Sequence, residues 1–333
     1  MAAIRVVLVG MGPLGRKTIQ FMKERGNKKV QLVGAIDTDP ELIGKRVSDV
    51  CGLEKKSPMK IVGSLKDLPE TAKPEVALLT TVSDMPRITK QIEEYAGKGL
   101  HVVSTCEELS FPWKAAPRWA NRIDKYAKKK KVAVLGTGIN PGFLMDFLPT
   151  TMTALSQNVE KVKVSRVQDA KYRRVPFQKK IGAGLTLKEF EAKRKTGTLR
   201  HVGLTESVHM IADRMGWKLE KTVDELSPVV AKKDIRTRSM RIKRGMARGV
   251  QQIGRGFSDG EEKITLVFRA AIGEPNPEDK IEIFGEPKIV SSIKGGVNGD
   301  VGTCAIAINA CKQVLRCQPG LQTMTDTPVV SYF

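Results

Sequence analysis

The chain has 333 residues, more than one ordinary hydrophobic core holds, so two domains are expected. Its 57 Lys and Arg against 36 Asp and Glu give a formal net charge of +21, but aromatics make up only 5% and no DNA-reading module is recognisable. The surplus charge reads as a cationic enzyme surface that attracts anions, with no specific nucleic-acid partner. The absence of any run of about 18 apolar residues excludes a membrane-spanning helix. Five cysteines without a CxxC pair and a start without signal-peptide character lead to the expectation of a cytoplasmic protein. The three histidines, His101, His201 and His209, lack metal-ligand spacing, so no metal is expected.

In chain order, the apolar run Ile4 to Val9 leads into Gly10-Met11-Gly12-Pro13-Leu14-Gly15 and then a helix-like segment. Such a strand, glycine turn and helix form a phosphate cradle. Gly10 makes the tight turn, Gly12 admits a pyrophosphate, and Gly15 lets helix and strand pack closely. A second strand, 30–36, ends in Asp37, whose carboxylate is placed to accept both hydroxyls of an adenosine ribose and to repel a 2′-phosphate. NAD is therefore favoured; Lys45 and Arg46 further on leave NADP possible. Strands at 59–62, 75–81, 100–104 and 132–135 alternate with helices near 14–25, 85–97 and 114–129, the signature of a parallel sheet. Thr80, Thr81 and Thr105, near the strand ends, join the candidate cofactor contacts.

After Asn140-Pro141-Gly142 the pattern changes. A helix-like run reaches about 155, and alternation at Val162, Val164 and Val167 predicts an antiparallel strand with one wet face. Further strands are expected at 229–235, 239–243, 246–253, 263–272 and 280–284, with helices near 204–215 and 299–316. The predicted fold is α/β: a doubly wound Rossmann domain over 1–140, an α+β substrate-binding and dimerisation domain with a mostly antiparallel sheet over 141–296, and a C-terminal helix and tail, 297–333, returning to the first.

Three segments carry candidate chemistry. Glu107 and Glu108 follow the strand 100–104, beside the expected nicotinamide; a carboxylate there can hold a substrate ammonium, take its proton and stabilise an iminium. The alternative reading is that one or both begin the next helix, where its dipole favours acid. In Gly136 to Asp146, Asn140 can offer its amide to the nicotinamide carboxamide or to substrate. In the loop from Arg166 to Gly182, Arg173 or Arg174 can clamp a substrate carboxylate, and Phe143, Phe177 and Trp217 can wall an apolar pocket.

The glycine motif, Ser104 to Trp113 with its Cys-Glu-Glu-Leu and Pro-Trp, Gly138 to Phe143, the block from Gln168-Asp169-Ala170 to Gly182, and Asn298-Gly299-Asp300 together resemble the 2,4-diaminopentanoate dehydrogenases and native amine dehydrogenases over nearly the whole chain. More distant similarity extends to dihydrodipicolinate reductase and homoserine dehydrogenase. In the latter a catalytic lysine follows a similar His-Val-Val strand, where Glu107 stands here. The resemblance implies a homodimer, a nicotinamide site in each subunit and a glutamate that handles the amine. The expected reaction is reversible oxidative deamination to ketone and ammonia. The alternatives are an imine or carbonyl reductase of the dihydrodipicolinate reductase kind and a basic NAD-sensing regulator that binds nucleic acid.

Overall fold

A computed structural model describes residues 3–26, 29–173, 175–197, 199, 201–237 and 240–333, with backbone alone at Tyr172 and Pro176. The chain divides into two compact units, Met1–Phe143 with Asn298–Phe333, and Leu144–Val297.

The first unit opens with β1 (Ile4–Val9), α1 (Pro13–Glu24), β2 (Val30–Ile36), α2 (Val47–Val50), β3 (Ile61–Val62), β4 (Val76–Leu79) and α3 (Met85–Gly97). It continues through β5 (His101–Ser104), α4 (Pro112–Ala115), α5 (Pro117–Lys130) and β6 (Ala133–Gly136). These strands are apolar runs because both faces of their sheet are covered. Val7, Val9, Ala77, Leu79, Val102 and Val134 pack with the buried stripes of α3 and α5. The alternate residues Val6, Leu8, Leu78 and Val103 are equally buried and project to the other face.

The second unit runs through α6 (Phe147–Met152), β7 (Asn158–Asp169), α7 (Val175–Lys180), α8 (Leu187–Lys195), α9 (Leu204–Met215) and β8 (Lys221–Val230). The short pair β9 (Ile235–Arg236) and β10 (Arg241–Ile242) precedes β11 (Ala247–Ser258), β12 (Glu261–Ala271), β13 (Glu278–Glu286) and β14 (Ile289–Lys294). Its six-stranded sheet has the order β14-β13-β7-β12-β11-β8. Every neighbouring pair is antiparallel except β7 with β12. Inward alternation on β7 holds for Val162 and Val164 but not for Val167, whose parity is wrong; the next inward position belongs to Arg166, only 2% exposed.

The chain then returns to the first unit as α10 (Gly299–Val314) and β15 (Gly320–Gln322). α10 packs on α1 and β5, and β15 completes a seven-stranded parallel sheet of order β15-β6-β5-β4-β1-β2-β3. This is the predicted α/β class, with a doubly wound parallel sheet and a second, mostly antiparallel one. β8 begins at Lys221, well before its predicted start, and α7, α8, β14 and β15 have no counterpart among the expected elements. Among the described residues no helix is long and apolar enough to cross a membrane.

Candidate functional site

Strand register lines up the carboxyl ends of the parallel sheet. Val9 faces both Ile36 and Leu79, Leu79 faces Ser104, and Ser104 faces Gly136. The residues that follow continue the ladder along one edge. Gly10 N–H donates to Ile36 O at 2.8 Å, Thr80 N–H to Val9 O at 2.8 Å, Thr105 N–H to Leu79 O at 3.0 Å and Thr137 N–H to Ser104 O at 2.9 Å. The candidates Asp37, Gly10, Thr80 and Thr105 therefore follow successive strands. With strands about 4.8 Å apart, the three steps from β2 to β5 separate Asp37 from the Glu107 turn by about 14 Å, a distance an extended dinucleotide bridges.

α1 starts on this edge. Gly12 is its N-cap, Pro13 and Leu14 form the first turn, no side chain caps the helix, and no acidic residue lies in that turn. Amide donors and the helix dipole thus point outward without a protein anion to meet them. A Cβ on Gly12 would meet nothing within 4 Å, whereas one on Gly15 would lie 1.9 Å from Gly10 O and 2.8 Å from Thr80 Oγ1. One glycine keeps an approach open and the other lets the helix seat on the loop, which fits a pyrophosphate. The Thr80 hydroxyl donates to Gly10 O at 2.9 Å, bracing the loop from below, and Thr81 Oγ1 bonds Gln91 of α3 at 2.5 Å. Asp37 Oδ2 accepts the Met11 N–H at 2.5 Å and Oδ1 the Asp39 N–H at 2.9 Å. Each oxygen retains a second lone-pair site for a ribose hydroxyl.

The two glutamates separate by their contacts. Glu108 Oε2 accepts the Met85 N–H at 2.9 Å, on the first turn of α3, where Asp84 caps Arg87 N–H at 3.0 Å. Glu108 thus satisfies a helix terminus, although not that of the helix following it. Glu107 is half-buried, and its carboxylate accepts no hydrogen bond from any described residue. Their short 3₁₀ turn presses on β6: a Cβ at Gly136 would come within 2.5 Å of Leu109 O. Burial, with Glu107 and Glu108 adding repulsion, pushes the neighbouring Cys106 thiol far up, which removes it as a nucleophile. Thr137 to Gly142 is clamped to α10 and the C-terminal segment, through Ile139 N–H to Thr303 Oγ1 at 3.3 Å and Thr137 Oγ1 to Met324 Sδ at 3.1 Å. Asn140 is buried in this loop, with Phe143 at its end.

Arg173 and Phe177 belong to the second unit, and Arg174 lies outside the described residues. The Arg173 guanidinium stacks 4.1 Å from the Phe177 ring centroid and donates to Gln168 Oε1 at 3.1 Å. Gln178, also buried, bonds the carbonyls of Ala170, Lys171 and Arg173. Trp217 joins Phe177 around the unit's core. Beside Gln168 on β7, Arg166 donates to Asp279 Oδ2 at 3.0 Å and to Val297 O at 2.8 Å, while Val297 N–H donates to the same Asp279 oxygen at 2.7 Å. Burial lowers Arg166 to about 10, so it stays protonated at neutral pH. His201 is held neutral, lowered to about 4 first by burial and then by the charges of Lys180, Arg166 and Arg173. The charges of Arg166 and Arg173 thus reach both each other and His201, and Asp279 is the acid paired with Arg166. The predicted arginine clamp did not include Arg166, His201 or Asp279. Only the position of Arg166 on β7, two residues beyond the inward Val164, signals its burial.

Residues 143–333 match the family model of the 2,4-diaminopentanoate dehydrogenase C-terminal domain. The chain is 32% identical to the 2,4-diaminopentanoate dehydrogenase of Acetoanaerobium sticklandii, covering 99% of this chain and 94% of that protein. Its fold matches amine dehydrogenase from Mycobacterium smegmatis with a TM-score of 0.85 at 20% identity, over 99% of this chain and 97% of that one. A weaker likeness, TM-score 0.54 at 17% identity over 95% and 90% of the two chains, links it to the WlbA dehydrogenase of Bordetella pertussis, solved with NADH and UDP-GlcNAcA. The resemblance carried by the sequence blocks is borne out, and the chain belongs to the 2,4-diaminopentanoate dehydrogenase family of oxidoreductases.

Proposed function

We propose that the chain is an NAD(P)-dependent amine dehydrogenase acting on an amine of the 2,4-diaminopentanoate type, giving ketone and ammonia, with reductive amination as the reverse reaction. The observation that carries this reading is the Glu107 carboxylate, free of described hydrogen-bond donors, three strand steps from the Asp37 and glycine-loop seat. The bound nicotinamide supplies a hydride acceptor at C4. Glu107 holds the substrate ammonium, accepts its proton and stabilises the positive charge that grows on nitrogen as hydride leaves the adjacent carbon. Water then adds to the iminium carbon and ammonia departs, with Glu107 shuttling protons between oxygen and nitrogen. Glu108 positions this turn from the α3 terminus. Asn140 offers its amide to the nicotinamide carboxamide, and Thr80, Thr81 and Thr105 border the cofactor seat.

Within the second unit, Arg173, whose guanidinium stacks on Phe177, is the clamp we assign to a substrate carboxylate. The enzyme is expected to act as a cytoplasmic homodimer, which light scattering of the purified protein tests. The function itself is tested by incubating the protein with NAD⁺ or NADP⁺ and 2,4-diaminopentanoate, and with NADH, ammonia and small ketones. A 340 nm change in both directions is the expected result; none with either set sinks the reading, and ketone reduction that needs no ammonia replaces it with a carbonyl reductase.

A further inference from the structure

The acid that favours NAD has a cationic counterpart one peptide away. Arg16 is the fourth residue of α1, and helical side chains lean back toward the N-terminus. Its Nε–H accordingly donates to Met11 O at 2.7 Å, while Asp37 takes the N–H of the same Met11 at 2.5 Å. Asp37 and Arg16 thus grip the two polar groups of one loop residue, at the place where the adenosine ribose lies in the proposed cofactor reading. The anchor uses only Nε. Both Nη groups of the half-buried Arg16 bond nothing described, and no described carboxylate pairs with it. Other basic side chains are neutralised by an acid, as Lys56 is by Asp49 and Arg122 by Glu93.

We propose that Arg16 is the residue through which this enzyme admits NADP(H) beside NAD(H), its guanidinium fork taking the 2′-phosphate of the adenosine half. A planar pair of N–H donors matches two phosphate oxygens, and a 2′-phosphate extends just beyond the hydroxyl that Asp37 faces. The arrangement is a balance: Asp37 repels the phosphate and Arg16 attracts it, so neither cofactor is refused. Asp37 alone predicts NAD; the sequence conceals the counterweight because Arg16 arrives from α1 and not from the loop after β2.

The inference rests on the cofactor reading but not on the amine chemistry, so its test uses ligand binding alone. Arg16→Gln retains a nitrogen at the Nε position for the Met11 carbonyl while deleting the fork. Calorimetric titration of wild type and Arg16→Gln with 2′,5′-ADP and with 5′-ADP should show the affinity for 2′,5′-ADP falling at least about tenfold and that for 5′-ADP less than about threefold. Arg16→Lys, which keeps a point charge, should fall between. Equal losses for both ligands, no loss for either, or a wild type that binds 5′-ADP but not 2′,5′-ADP each overturn the proposal. A wild type that binds neither overturns the cofactor seat itself.

Discussion

His201 couples the second unit's stability to pH. The ring lies edge-on to Phe268 with 4.3 Å between centroids, and Nδ1 is 2.7 Å from Val202 O. Its pKa is lowered from 6.5 to about 4, by burial first and by Lys180, Arg166 and Arg173 next. The unfolded chain therefore binds a proton between these two values that the folded chain refuses. The corresponding stability is fully present above pH 6.5 and is lost as pH falls toward 4. Between pH 7 and 5 the full shift corresponds to about 2 kcal/mol; because His201 keeps some surface in contact with solvent, a range of about 1 to 2 kcal/mol is the working expectation. Amide exchange of β11 and β12, corrected for intrinsic rates, reads the opening free energy of this unit at both pH values. In His201→Gln the titration is absent, so its opening energy should fall less than that of wild type by this amount. Parallel behaviour of the two proteins from pH 7 to 5 would refute the assignment.

Glu107→Gln should lower kcat by at least about 100-fold with NADH binding by fluorescence retained, and a variant with near-normal turnover removes Glu107 from the chemistry. Glu108→Ala should cost about 1 kcal/mol of thermal stability through the lost cap at Met85, while Glu108→Gln, which keeps an acceptor oxygen, should cost much less; equal effects argue against the cap. Asp37→Ser should raise the NADPH-to-NADH affinity ratio at least about tenfold, and an unchanged ratio discredits the ribose role. Asp279→Ala should destabilise the second unit by about 3–5 kcal/mol because it strands the buried Arg166 charge, whereas Arg166→Met with Asp279→Leu should cost less than that single change. A double variant weaker than Asp279→Ala contradicts this account.

Elements missing from the sequence reading lack the pattern on which such readings depend. β8 is an edge strand paired only to β11; it carries charges at Lys221, Asp224 and Glu225 and holds Pro228. β14 and β15 are also edge strands, the first exposed along most of its length and the second only three residues long. α8 has one buried anchor, Phe190, among charged residues, so no apolar stripe marks it. Its start was nevertheless legible: Thr186 and Glu189 form a reciprocal capping box, a spacing visible in sequence.

The candidate site divides along the same physical line. The glycine cradle depends on residues a few positions apart, and the row from Asp37 to Thr137 follows from strands whose apolar runs are plain, so both can be read locally. The distinction between Glu107 and Glu108 depends on where the first turn of α3 lies, 23 residues from Glu108, because only the fold brings an unsatisfied N–H to that carboxylate. Arg166 and Asp279 are 113 positions apart and meet only because β13 pairs with β7 in a register that places Asp279 opposite Arg166. An isolated arginine on an inward strand position would otherwise be too costly to bury, so its burial required an acid that local spacing does not locate. Arg16 belongs to the same class: its helix was legible, but its proximity to Met11 follows from the backward tilt of a side chain on the first turn. On the proposed cofactor reading, selectivity rests on two residues from different elements that grip the N–H and the C=O of Met11, and a reading confined to the carboxylate after β2 misses half of it.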